Sequence, residues 1–230
     1  MIKVLSWNIR QGGGSRLTQI VGALKTIGAH ILVLTEYRNN DRGVTLRAKL
    51  LALGYRYQAV SAAAADDNSV VMASKLPFDS VISTCPDESY PHNVLIGNFK
   101  AFQIYGGYFP HKKKHTLFDW VVSEMENRSE PIIVCGDLNT GKNYVDQAKN
   151  SFWYEDQFIK MTEELGHDAY RQVHGDRQEF SWYSHQGNGY RYDHTVITPD
   201  LAPIVTDCYY LQDYRESKVS DHAPMILELG

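Results

Sequence analysis

Apolar runs that end on polar residues recur along this chain. Ile2-Lys3-Val4-Leu5-Ser6-Trp7-Asn8 reads as a strand, broken by Gly12, Gly13 and Gly14. Leu17, Ile20, Val21, Leu24 and Ile27 follow at helical spacing, which predicts a helix with Ser15 as N-cap and Gly28 as stop. Residues 30–36 form a second apolar run, ending on Glu36. If the two strands are parallel, Asn8 and Glu36 emerge on the same side of a sheet. Strand-like runs come at residues 69–73, 94–96 and 99–108, and a second amphipathic helix is predicted around Leu117, Trp120, Val121 and Met125. Pro131-Ile132-Ile133-Val134-Cys135-Gly136 is another buried strand, running into Asp137-Leu138-Asn139. A helix around Phe158, Met161, Thr162 and Leu165 stops at Gly166, and residues 179–183, 191–198, 204–211 and 225–229 read as strands. No low-complexity linker or short repeat interrupts this order, so one α+β domain over residues 1–230 is expected.

Composition narrows the class. With 43% hydrophobic, 12% aromatic and 22% charged residues in 230, the chain has the make-up of a globular protein and not of a disordered one. No apolar run approaches the roughly 20 residues of a membrane span. The start carries no signal-peptide core, so a soluble cytoplasmic protein without a membrane partner is expected. Cys85, Cys135 and Cys208 are too few and scattered for a disulfide framework or a zinc knuckle, and read as buried, inert thiols. The net charge of −4 argues against holding nucleic acid by bulk electrostatics. Its distribution is uneven: residues 1–115 hold 14 Lys and Arg against 7 Asp and Glu, and residues 116–230 hold 9 against 20. The basic half suits an anion and the acidic half a metal.

The polar residues at strand ends carry the chemistry. Any one of Asn8, Glu36, Asp137 with Asn139, Asp193 with His194, and Ser220-Asp221-His222 reads most simply as a turn residue or helix cap. As a set they say more. Glu36, Asp137 and Asp221 can share a hard cation if their strand ends converge, since Mg²⁺ accepts a few carboxylate oxygens plus waters. A His with an acidic partner would complete a hydrolytic site.

Ser6-Trp7-Asn8, Leu34-Thr35-Glu36, Gly107-Tyr108-Phe109-Pro110, Gly136-Asp137-Leu138-Asn139, Phe180-Ser181-Trp182, Arg191-Tyr192-Asp193 and Ser220-Asp221-His222 occur in this order. This series resembles the endonuclease/exonuclease/phosphatase superfamily, and within it the exonuclease III type of abasic-site endonuclease. The resemblance runs from the first strand to the last. It implies a four-layer α/β/β/α sandwich of two packed, mostly antiparallel sheets flanked by helices, with the active site at one end of the sheets. It implies Mg²⁺, with Mn²⁺ as a substitute, held by Glu36, with Asn8 orienting Glu36 or reaching the metal shell itself and Asp221 contributing to the metal environment. Asp137 would position or deprotonate the attacking water, and Asn139 would bond a phosphate oxygen. His222, held by Asp193, would donate to a phosphate oxygen or assist the nucleophile, and Tyr108 would stabilise phosphate or leaving-group charge.

The likeness thins in the loops. Asn8 is followed by Ile9-Arg10-Gln11-Gly12 where those enzymes carry Gly-Leu-Arg, Glu36 lies in Leu34-Thr35-Glu36-Tyr37-Arg38 instead of Gln-Glu-Thr, and Asn139 precedes Thr140-Gly141-Lys142 instead of Val-Ala-His. Hydrolysis is therefore better supported than abasic-site recognition. His111-Lys112-Lys113-Lys114-His115 can hold backbone phosphates or be a solvated helix start. Arg10 and Arg38 are candidate phosphate anchors, Asn68 falls where the family places a phosphate-contacting loop, and Trp182 with Tyr183 can stack near a displaced sugar or pack in the core. Three functions compete: a Mg²⁺-dependent nuclease acting on DNA as a monomer, a phosphoesterase for a small-molecule or lipid-linked phosphate, and an inactive binding module. The presence of every chemical residue argues against the last.

Overall fold

The computed structural model describes residues 1–81, 85 and 92–230. In chain order its strands are β1 (Ile2–Asn8), β2 (Ile31–Tyr37), β3 (Tyr57–Val60), β4 (Ser69–Ser74), β5 (Asp79–Val81), β6 (Val94–Asn98), β7 (Gln103–Tyr108), β8 (Ile132–Asp137), β9 (His167–Asp168), β10 (Trp182–Tyr183), β11 (Gly189–Tyr190), β12 (Asp193–Ile197), β13 (Val205–Tyr210) and β14 (Met225–Leu229). The helices are α1 (Leu17–Ile27), α2 (Asp41–Ala52), α3 (His115–Glu126), α4 (Glu155–Ile159), α5 (Ala169–His174) and α6 (Gln212–Glu216).

Among the described residues two six-stranded sheets result, ordered β13-β14-β1-β2-β4-β3 and β5-β6-β7-β8-β12-β9, while β10 and β11 form a small hairpin. The central pair of each sheet is parallel, β1 with β2 and β7 with β8, and the remaining neighbours are antiparallel. Parallel neighbours need a crossover, and α1 and α3 supply it. Each parallel pair therefore delivers two strand ends to one side of its sheet, as expected for Asn8 and Glu36.

Alternation along the strands sorts side chains between the faces of each sheet. Val4, Val33 and Met72 from the first sheet pack with Ile104, Ile133 and Ile197 from the second. On the outer face of the first sheet, Leu5, Trp7, Leu32 and Leu34 meet Ile20 and Leu24 of α1 and Leu46 and Leu50 of α2. On the outer face of the second, Ile96, Val134 and Val196 meet Leu117, Phe118 and Val121 of α3 and Phe158 of α4. The layers run helix, sheet, sheet, helix, and the expected α/β/β/α sandwich is present.

Several boundaries differ from the sequence reading. Residues 99–108 are not one strand: Phe99 N donates to Phe102 O at 3.0 Å, closing a turn between β6 and β7 that keeps both rings in the inter-sheet core. Ser15 does not cap α1, because residues 11–16 coil in a tighter turn through left-handed glycines and Arg16 occupies the cap position. Only Trp182 and Tyr183 of residues 179–183 are strand. The helix around Phe158 is short α4 followed by a wider π turn over Lys160–Glu164. Cys135 and Cys208 are buried as expected, with burial pushing the Cys135 thiol up to about 12, whereas Cys85 is partly exposed. No helix among the described residues is long and apolar enough to cross a membrane.

Candidate active site

The sequence-predicted residues meet where β1, β2, β7 and β8 end. Asn8 is fully buried, and its Nδ2 donates to Glu36 Oε1 at 3.0 Å and to Asp137 Oδ2 at 2.8 Å, joining the two sheets through one amide. Its Oδ1 accepts from the Arg10 amide at 2.9 Å, and Glu36 Oε2 accepts from the Gln11 amide at 2.8 Å. Glu36 sits at a register shift between β2 and β4, and its φ of 53° is left-handed. Arg10 (φ 54°), Gln11 (φ 50°) and Asn139 (φ 50°) share that conformation. Each such non-glycine residue costs of order 1–3 kcal/mol, and strain of this kind gathers at functional sites.

The second sheet contributes the other half. Asp137 Oδ1 accepts from the Asn139 amide at 3.1 Å, and Asn139 Nδ2 donates to Phe109 O at 3.0 Å. Asp193 opens β12 directly opposite Asp137 in register. His222 Nδ1 lies 2.7 Å from Asp193 Oδ2, and Nε2 lies 4.0 Å from Asp137 Oδ2. The Asp193 contact fixes the proton on Nδ1 and turns Nε2 toward the cleft.

Sequence reasoning missed the groups that hold this pair. Trp7 Nε1 donates to His222 O at 2.9 Å, and Ser220 Oγ donates to Asn8 O at 2.7 Å. Ser181 Oγ accepts the Tyr192 and Asp193 amides at 3.0 and 3.1 Å, and Tyr210 OH donates to Asp193 O at 2.5 Å. Trp7, Ser181 and Ser220 stand inside the quoted motifs, but nothing in a sequence says which way a hydroxyl or indole points. Behind β12, Arg191 is fully buried between Asp146 and Asp168, with Nε 2.7 Å from Asp146 Oδ1.

The electrostatics follow from this crowding. Burial raises the Asp137 carboxyl, His222 opposes the rise and Asp193 adds to it. Burial disfavours the His222 imidazolium, but the Asp193 and Asp137 charges outweigh it and raise the group to about 10. Tyr108 is pushed up to about 12, by burial first and then by Glu36. Asp137, Asp193 and His222 offer ligand atoms all within 4.8 Å of one another. Among the described residues Asp193 Oδ1 is buried without a hydrogen-bond partner, and Glu36 adds a further carboxylate across Asn8. An oxygen-rich donor set with more carboxylates than cations fits a hard divalent ion.

Other candidates line the rim. Asp221 Oδ2 is 3.7 Å from Arg10 Nε, with both side chains partly exposed. Arg38 Nε donates to Asn68 Oδ1 at 3.2 Å, and Asn68 Nδ2 donates to the Tyr108 hydroxyl at 3.4 Å, so these three border one cleft of about 350 Å³. Trp182 bridges to His222 through the backbone, and its ring centre is 6.4 Å from the imidazole. Tyr183, its neighbour on the strand, instead meets the Arg215 guanidinium at 4.5 Å. Lys112 and Lys113 are exposed, but Lys114 is fully buried and is not part of a phosphate-binding run.

A carboxylate-rich cleft at the carboxyl ends of strands from two packed sheets, with an Asp-paired imidazole, has the acid and base groups that a hydrolase needs. Residues 5–222 match the model of the Endonuclease/Exonuclease/phosphatase family, and the chain belongs to that family. It is 22% identical over 256 residues to an exodeoxyribonuclease of Bacillus subtilis (strain 168), covering 98% of each chain. Among solved structures it resembles an AP endonuclease from Archaeoglobus fulgidus, with a TM-score of 0.82 and 20% identity over 100% of this chain and 99% of that one. It also resembles a 3′ phosphatase from Neisseria bound to a product DNA hairpin, with a TM-score of 0.84 and 21% identity over 100% of both. At these identities the two structures establish the likeness of fold.

Proposed function

We propose that the chain is a Mg²⁺-dependent hydrolase of DNA phosphodiesters, acting at breaks, abasic sites or 3′ ends, with Mn²⁺ as a substitute. The whole chain would work as one catalytic domain and as a monomer. One observation carries the reading: Asn8 ties Glu36 to Asp137 within reach of an imidazole locked by Asp193. The relatives named above act on DNA by their descriptions, which supports DNA over a small phosphoester.

Glu36 and Asp221 would hold the ion, which when bound supplies Lewis acidity worth several kcal/mol against phosphate charge. Asn8 spends both Nδ2 hydrogens on Glu36 and Asp137, so its part is to orient those carboxylates. Asp137, with its carboxyl raised toward neutrality, suits the task of positioning and deprotonating the attacking water. His222, charged at neutral pH, would donate from Nε2 to a non-bridging oxygen, and the protonated Tyr108 hydroxyl and the remaining Asn139 Nδ2 hydrogen would donate beside it. Arg10, Arg38, Lys112 and Lys113 would meet the flanking phosphates.

Labelled duplexes that are intact, nicked, abasic or 3′-phosphorylated, incubated with Mg²⁺, Mn²⁺ or EDTA, test the reading. Cleavage is expected only with metal, falling with added salt as phosphate contacts release counterions. His222→Ala should lower it by about 10²–10⁴-fold. Cleavage of a small or lipid-linked phosphoester with no duplex cut under any metal would establish the alternative phosphoesterase instead.

A further inference from the structure

Helix α2 has two apolar faces, and the fold covers one of them. Leu46 and Leu50 are buried against the first sheet. Val44, Ala48 and Leu51 stand three and four positions apart and so share the outward face, where Val44 is 59% and Leu51 56% exposed. With Arg47, Arg56 and Gln58 they wall a cavity of about 410 Å³ that no Asp or Glu lines. Val44 also walls a neighbouring cavity of about 580 Å³, which includes Arg42 and reaches Gln11 and Arg38 at the rim of the candidate active site. Asp41 is the only acid of α2, against Arg42, Arg47 and Lys49. Among the described residues Arg42, Arg47 and Arg56 form no ion pair with a carboxylate.

We propose that the outward face of α2 docks an acidic segment of another protein, one that carries a large apolar side chain between its carboxylates. The apolar side chain would lie on Val44, Ala48 and Leu51, and the carboxylates would pair with Arg42, Arg47 and Arg56. An apolar centre inside a charged rim is the anatomy of a protein interface, and the charges set partner and register. Three arginines left unpaired in a chain with 27 Asp and Glu and a net charge of −4 point to carboxylates that come from outside. Nucleic acid fits this face less well. Phosphates would meet the arginines but leave Val44 and Leu51 against charge, whereas an acidic segment with an apolar residue satisfies both. The docked partner would sit on the flank of the molecule and leave the cleft itself open.

The test selects a display library of random linear peptides on the full chain and counter-selects it on Leu51→Asp. Enriched peptides are expected to carry Asp or Glu on both sides of a Phe, Leu, Ile or Trp. One of them, synthesised with a fluorescent label, should bind the wild-type chain saturably, with a Kd that rises as salt is added. Leu51→Asp and Arg56→Glu should each raise that Kd at least about tenfold while leaving affinity for duplex DNA unchanged. Both side chains are exposed, so both variants are expected to fold, and their unfolding midpoints check this. No enrichment over Leu51→Asp overturns the proposal, as do enriched peptides that are basic or wholly polar. Duplex DNA that displaces the peptide and is itself bound less tightly by both variants would make the face a nucleic-acid surface instead. A dimer of the chain in sedimentation that Leu51→Asp dissolves would seat a second copy there, and would equally overturn it.

Discussion

Lys114 stands in His111-Lys112-Lys113-Lys114-His115, a run of charge that reads as a phosphate contact or a solvated helix start, yet its side chain is fully buried. Its Nζ donates to Leu138 O at 2.9 Å and Asn139 O at 2.7 Å, and lies 5.1 Å from the Tyr154 ring centre and 5.8 Å from that of Phe118. Burial pulls its pKa down to about 7 although Asp137 opposes the fall. The two carbonyls it satisfies belong to the turn that carries Asn139 at its left-handed φ of 50°. Lys114→Met therefore leaves buried acceptors without a donor, at about 1–3 kcal/mol each. The variant should lose urea resistance, and its kcat should fall more than its KM rises, since the turn aims Asn139 and Asp137. Lys114→Arg should not rescue kcat, because a planar fork does not replace a point ammonium between two carbonyls. Unchanged kcat in Lys114→Met would show that the turn is held by its hydrogen bonds to Asp137 and Phe109 alone. Nothing in the local sequence distinguishes Lys114 from Lys112: the acceptors come from a turn 24 and 25 residues further along the chain.

The parallel pair β7–β8 depends on close approach of backbone to backbone. At Gly136, with φ at 146°, an added Cβ would lie 1.9 Å from Gly107 O, so no side chain fits without separating the strands that carry Tyr108 and Asp137. Gly136→Ala should destabilise by more than about 4 kcal/mol, in the exceptional range for one substitution. Gly22→Ala in α1 is the opposite case: its Cβ meets nothing within 4 Å among the described residues, and a helical Gly→Ala change should stabilise by about 0.5–1 kcal/mol. Urea midpoints moving in opposite directions check both, and equal shifts would refute the steric account. The elements themselves were unevenly legible. The unit of β1, α1 and β2 and the strand β8 were readable because each buries a continuous apolar face. The helix α2 was missed: among its large apolar residues Leu46 and Leu50 are buried while Val44 and Leu51 are exposed, which blurs the periodicity. Its Asn40 cap, accepting from the Arg42 and Gly43 amides, was the signal that could have found it. Short β3 and β5, whose residues are all half-buried or exposed, exist through their pairing with β4 and β6 more than through local pattern.

At the scale of the whole molecule, the acidic second half divides between two kinds of site with opposite pH behaviour. Asp146 and Asp168 are buried, which alone would raise them, but Arg191 outweighs burial and holds both below the usual carboxylate range. A carboxyl lowered on folding contributes stability that is present above its unfolded value, near 4, and lost as the pH falls through its folded value. Asp137 is the reverse case: burial and Asp193 raise it despite His222, so keeping it ionised costs stability, and protonation between neutrality and about pH 4 relieves that cost. His222, raised to about 10, gives its full contribution below an unfolded value near 6.5 and loses it as the pH rises through about 10. All three effects place the stability maximum of the metal-free chain on the acid side of neutrality, near pH 5. A divalent cation held by Glu36 and its neighbours would offset the carboxylate repulsion that raises Asp137, and so would move the maximum upward. Calorimetric Tm values from pH 3 to 9 test this in EDTA and in millimolar Mg²⁺. For a chain of this length about 1 kcal/mol corresponds to roughly 2–4 °C. The expected result is a Tm in EDTA at least about 2 °C higher at pH 5 than at pH 8, a steep fall below pH 4, and a difference that shrinks or reverses with Mg²⁺. A maximum at or above pH 8 in EDTA would mean that the Asp137 carboxyl is not raised by its surroundings. An unchanged profile with Mg²⁺ would mean that the ion does not bind among these carboxylates.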